Sequence, residues 1–130
     1  MVTGLIFGPG MRFNIQQSFM YCKNLRTIDF TNVDNQLDIT TGTFYGCSNI
    51  GLDSLIIPSK IRKIESLAFG NCSFVYLNCA ATILEANAFA YCSSLREVWL
   101  RNTCKLISEI TNTSPWIGCS SNLILYCEAN

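Results

Sequence analysis

Apolar and polar positions alternate in short bursts along this chain, and the bursts recur. Residues 95–100 read Leu95-x-x-Val98-x-Leu100 and residues 25–30 read Leu25-x-x-Ile28-x-Phe30. Phe74-x-x-Leu77-x-Cys79 and Leu123-x-Leu125-x-Cys127 follow the same scheme, and Leu55-x-Ile57 follows it after a two-residue insertion. Period-two alternation over so few residues predicts strands with one face buried. Leu5-Ile6-Phe7-Gly8-Pro9 is similar to Leu55-Ile56-Ile57-Pro58, so a first strand belongs near the N-terminus. The predicted inward pairs are Leu5/Phe7, Ile28/Phe30, Leu55/Ile57, Leu77/Cys79, Val98/Leu100 and Leu125/Cys127.

Between the strands an aromatic-x-x-Cys unit occurs five times: Phe19 to Cys22, Phe44 to Cys47, Phe69 to Cys72, Phe89 to Cys92 and Trp116 to Cys119. The cysteines step by 25, 25, 20 and 27 residues. An aliphatic residue precedes the aromatic by five positions at Ile39, Ile64 and Leu84, and by a shifted spacing at Ile15 and Ile110. A turn of this length cannot bury its own apolar face, whereas stacked turns bury a continuous core. The expected architecture is a β-rich α/β solenoid: about six parallel strands on a concave face, with short helical turns or loops between them. The whole chain, 1–130, forms one domain, with a half repeat at 1–13 and repeats around Cys22, Cys47, Cys72, Cys92 and Cys119. Phe19, Phe44, Phe69, Phe89 and Trp116 form an aromatic column on the far side of the core. Each buried ring is worth roughly 1.5–3 kcal/mol.

Asn87-Ala88-Phe89-Ala90-Tyr91-Cys92-Ser93-Ser94-Leu95 and Leu67-Ala68-Phe69-Gly70-Asn71-Cys72 carry a resemblance. They are similar to the BspA-like, or Treponema pallidum-type, leucine-rich repeats, whose pattern is Ala-Phe-x-x-Cys-x-x-Leu. Ser114-Pro115-Trp116-Ile117-Gly118-Cys119 looks like the variant of the last turns. The resemblance implies a cell-surface or secreted location and a role in adhesion or in recognising host or neighbouring-cell proteins. The chain departs from the family in its uneven periods, its shortness and the absence of a recognisable signal peptide. An intracellular or virion location is the alternative.

Composition narrows the function classes. The 130 residues are 49% hydrophobic and 14% charged, with nine Lys+Arg against nine Asp+Glu. No basic block supports nucleic-acid binding, and no apolar run approaches the roughly 20 residues of a bilayer span. Eight cysteines suggest a disulfide framework, but five occupy one repeat position and read as small buried hydrophobes. Cys22, Cys47, Cys72, Cys92 and Cys119 therefore join the core. Spacings of seven (Cys72, Cys79) and eight (Cys119, Cys127) do not suit structural zinc, and neither metal nor cofactor is expected. Cys104, beyond the fourth strand, is the thiol expected to react if exposed. With no histidine there is no His-based triad. Asp29, Asp34, Asp38 and Asp53 fall on different turns, and the glycines of residues 4–10 lack the Lys-Ser/Thr end of a phosphate loop. No enzyme is expected. Asn71-Cys72-Ser73 and Asn112-Thr113-Ser114 fit the glycosylation triplet only as short matches.

The outward strand positions are the better lead. Ile6, Asp29, Ile56, Asn78, Trp99 and Tyr126 form a central column. Thr27, Ser54, Tyr76, Glu97 and Ile124 flank it on one side, and Thr31, Pro58, Ala80, Arg101 and Glu128 on the other. Tyr76, Trp99 and Tyr126 lie on three consecutive strands, with Glu97, Arg101 and Glu128 as a polar rim. They read as a partner-binding patch or as cross-strand packing. The expected partner is a protein. Uncapped ends read as a fragment of a longer array or as faces covered by another chain, giving a homo-oligomer or a virion or fibre subunit.

Overall fold

The computed structural model describes residues 2–12, 16–34, 36–101, 104–107 and 114–128, with only the backbone of 105–107. The first set of strands is β1 (Gly4–Ile6), β2 (Thr27–Asp29), β4 (Ser54–Ile57), β6 (Tyr76–Cys79), β8 (Glu97–Leu100) and β10 (Ile124–Cys127). The second is β3 (Leu37–Ile39), β5 (Ile61–Ile64), β7 (Ile83–Glu85) and β9 (Lys105–Ile107). Among the described residues four turns contribute two strands each, and β1 and β10 stand without a second. All pairings are parallel. The six strands expected on the concave face are present but not as one sheet: β1 pairs β2, and β4, β6, β8 and β10 form a separate four-stranded sheet.

The second ladder, β3-β5-β7-β9, corrects the expectation of one strand per turn. The repeated aliphatic residue before each aromatic is its signature: Ile39, Ile64 and Leu84 lie in β3, β5 and β7 and are fully buried. Ile15 and Ile110 lie outside the described residues.

The expected helical turns are also corrected, since the described residues contain no helix. The reason is hydrogen bonding between turns. Phe19, Phe44, Phe69 and Phe89 donate their N–H to Thr43, Ala68, Ala88 and Pro115 of the next turn at 2.8–3.0 Å. Tyr21, Gly46, Asn71 and Tyr91 do the same to Tyr45, Gly70, Ala90 and Ile117 at 2.7–2.9 Å. Donors committed to a neighbour cannot close the i to i−4 bonds of a helix. The aromatic-x-x-Cys segment is thus a third hydrogen-bonded face.

The core lies inside these three faces. The aromatic column is continuous, with stacked ring centroids 5.6, 5.2, 5.7 and 5.2 Å apart from Phe19 through Phe44, Phe69 and Phe89 to Trp116. Phe44, Phe69 and Phe89 are fully buried, and Phe19 and Trp116 partly. All eight cysteines are free. The Sγ of Cys47, Cys72, Cys92 and Cys119 donates to the carbonyl of Phe19, Phe44, Phe69 and Phe89 at 3.1–3.4 Å. A small residue with a weak donor suits this place between rings and backbone.

Two core expectations need correcting. Leu125 and Cys127 keep the inward register, opposite Val98 and Leu100. Leu125 is nevertheless 41% exposed, and Cys127 is exposed. Among the described residues no strand stacks beyond β10, so those side chains lack the neighbour that covers their equivalents.

Candidate functional site

The outward columns are set by register. Ile56, Asn78, Trp99 and Tyr126 are successive partners across β4, β6, β8 and β10. Ser54, Tyr76, Glu97 and Ile124 form the adjacent column. Ile6 pairs with Asp29 on the separate sheet, so the predicted central column is interrupted between Asp29 and Ile56.

Trp99 and Tyr126 stack with ring centroids 4.2 Å apart and planes within 9°. Cross-strand packing therefore operates here, and Trp99 still remains 47% exposed. Tyr76, 46% exposed, stands one column over, opposite Glu97, so Asn78 rather than Tyr76 faces Trp99. Arg101 and Glu128 pair across the rim, Nη1 to Oε1 at 2.6 Å. Both side chains are about half exposed, and a pair in such solvent is worth at most about 1 kcal/mol. The pair orders the edge of the patch more than it stabilises the fold.

Two exposed features lie outside the expected patch, one on this sheet and one on the second ladder. Ile56 is 65% exposed and extends the apolar stripe from Trp99 past Asn78; its place in the outward column was the available signal. The second ladder carries its own charged face. Arg62 pairs with Asp38 and Lys63 with Glu85, and Glu65 Oε2 accepts the N–H of Thr41 at 2.9 Å. Recurrence of an aliphatic residue five places ahead of the aromatic, at Ile39, Ile64 and Leu84, was the cue for that strand.

Burial quiets most of the thiols, whereas the side-chain hydrogen bond with Cys92 lowers the partly buried Cys119 thiol. Burial pushes the Cys47 thiol up to about 11 and the Cys79 thiol up to about 12. Burial also raises Cys72, and the neighbouring Cys119 together with burial raises Cys92. Cys104, expected as the reactive thiol, is half-buried and pushed up to about 11 by burial and by nearby Cys127. Cys127 is the exposed thiol instead. Among the described residues no group of three or more His, Cys, Asp or Glu is placed to hold a metal ion. No helix among them is long and apolar enough to cross a membrane.

No curated protein and no solved structure matches the chain. Residues 15–114 match the BspA type leucine rich repeat region in six copies. With its turn-by-turn aromatic and cysteine columns and its parallel strand ladders, the chain belongs to the BspA-type leucine-rich repeat family.

Proposed function

We propose that this chain is a non-enzymatic protein-binding module that engages its partner across the concave face, with Trp99 and Tyr126 as anchors. Tyr76 widens the contact, and Glu97, Arg101 and Glu128 form its rim. The observation that carries the reading is the stacked Trp99–Tyr126 pair, in which Trp99 stays about half exposed and Tyr126 is partly buried. Rigid aromatic rings that are already ordered lose little entropy on binding, which is why Trp and Tyr dominate interface hot spots. Exposed Ile56 and Ile124 add apolar area on either side. Family membership supports an interaction or adhesion role, and a cell-surface or secreted setting is the one in which such a face meets a host or neighbouring-cell protein.

The test is a pairwise comparison of the wild-type chain with a Trp99→Ala/Tyr126→Ala chain in quantitative capture from host-cell surface extracts. Partners held by the patch fall by about thirtyfold or more, as for loss of a hot spot of about 2 kcal/mol or more. Equal recovery of every captured protein by both chains sinks the assignment.

A further inference from the structure

The first strand set is split between β2 and β4. Among the described residues the two strands share no ladder, although their equivalents in every later turn do. Most of their residue pairs stay more than 8 Å apart, Cα to Cα. The insertion ahead of β4 accounts for this. Gly51 adopts φ +50°, Leu52 projects into solvent, and β4 starts displaced from β2.

The split leaves two facing edges. Phe7 N–H donates to Asp29 O at 3.0 Å, so Thr27 and Asp29 turn their main-chain groups toward β1. Ile28 between them turns its N–H and C=O toward β4, because successive residues of a parallel strand address opposite neighbours. On β4 the carbonyls of Asp53 and Ile57 accept from Tyr76 and Ala80 at 3.2 and 2.8 Å. Ser54 and Ile56 accordingly point their main-chain groups at β2.

The seam has closed ends and an open middle. Gly51 N–H meets Arg26 O at 3.0 Å at one end, and Lys60 Nζ meets Thr31 O at 3.3 Å at the other. Between them lies an open cleft of about 520 Å³ lined by Ile28, Phe30, Ile56, Pro58 and Lys60, with Asp29 on its lip. Ile28 is only partly buried, while its equivalents Leu55, Leu77 and Val98 are buried. The gap therefore opens onto the core.

We infer that the seam accepts one short extended segment of a protein partner as an added strand between β2 and β4. Inserting a strand needs edges about 9.6 Å apart, twice the ladder spacing of about 4.8 Å. Main-chain bonds to both edges supply the affinity, as in other strand additions. The lining sets the segment's chemistry: apolar residues on the inward side to complete the Ile28 layer, and a basic residue outward beside Asp29. Hydrogen bonds from Thr31 hold the Asp29 carboxyl below its ordinary range, so it is charged at neutral pH. This goes beyond the aromatic patch and shares with that surface only Ile56, through its main chain.

The probe is the blocked peptide Thr-Val-Lys-Val-Thr, read by amide hydrogen exchange on the whole chain. In the free protein the Ile28 and Ile56 amides exchange much faster than those of Leu77 and Val98. Saturating peptide slows both by about tenfold or more, and replacing its lysine by glutamate or N-methylating it weakens binding. Ile56→Pro removes a seam donor while sparing the β4–β6 ladder and abolishes binding. Ile56→Ala keeps affinity within about threefold, because the main chain carries the bond. Trp99→Ala leaves peptide binding intact, which separates this result from the fate of the aromatic patch. The inference is overturned if Ile28 and Ile56 are already protected in the free protein, or if Ile56→Ala loses as much as Ile56→Pro. Protection confined to the Trp99 face overturns it as well. Protection that rises with protein concentration alone identifies a second copy as the occupant and also overturns it. If Ile56→Pro fails to fold, the exchange result on the unaltered chain decides.

Discussion

The residue two places before the aromatic and the residue just before the cysteine are left-handed in successive turns. Gln17, Gly42, Leu67 and Asn87 hold φ between 60° and 67°, and Tyr21, Gly46, Asn71, Tyr91 and Gly118 between 53° and 73°. This reversal lets the aromatic-x-x-Cys segment turn its N–H groups to the next turn. A non-glycine side chain there costs roughly 1–2 kcal/mol, least for Asn. Leu67 (φ 60°) is the poorest fit. Leu67→Asn, matching Asn87, should raise stability by about 0.5–1 kcal/mol, read as a higher urea midpoint with unchanged slope. Burial likewise sorts the thiols. At pH 8 a disulfide reagent should modify Cys127 first, while Cys47, Cys72, Cys79 and Cys92 react only on unfolding. Rapid labelling of any of these four would contradict the core assignment.

At the scale of the turn, tyrosines lie over glycines of the next turn. A Cβ at Gly46 or Gly118 would run into the ring of Tyr21 or Tyr91, and one at Gly70 would sit 2.7 Å from the Tyr45 ring. Gly46 and Gly118 also hold positive φ, whereas Gly70 does not. The two costs can be separated. Gly46→Ala should destabilise by about 2 kcal/mol and be rescued only in part by Tyr21→Ala, because the backbone strain remains. Gly70→Ala should be rescued by Tyr45→Ala almost completely, because its cost is steric alone. Equal rescue in both double-mutant cycles would refute the distinction.

Across the whole molecule the buried thiols tie the solenoid's stability to pH. Their pKa values are raised in the folded chain, so the neutral form is the one that folds. Their contribution is intact below the unfolded thiol pKa of about 8.5. It is lost as pH climbs toward about 11 at Cys47 and about 12 at Cys79. Each such thiol removes about 1.4 kcal/mol per pH unit in that window. Urea midpoints in reductant should be level from pH 6 to 8 and fall steeply above 9. A level midpoint to pH 10.5 would mean the thiols are not buried as a set.

The repeat, the aromatic and cysteine columns, and the inward and outward faces of the concave strands were legible in the sequence. Leu77, Val98 and Trp99 take their faces from period-two alternation, and Phe44, Phe69 and Phe89 stack because identical positions meet in adjacent turns. Local chemistry and repetition suffice for these. The second ladder, the absence of helix and the split between β2 and β4 were decided only by the tertiary structure. A strand such as Leu37–Ile39 is too short for alternation to reveal, and it exists because its bonding partner, β5, lies a full turn away. Whether Gly51–Asp53 closes or parts two strands, and whether Leu125 and Cys127 are covered, depends on which chain segment stacks beside them. These are non-local contacts that no single stretch of sequence encodes.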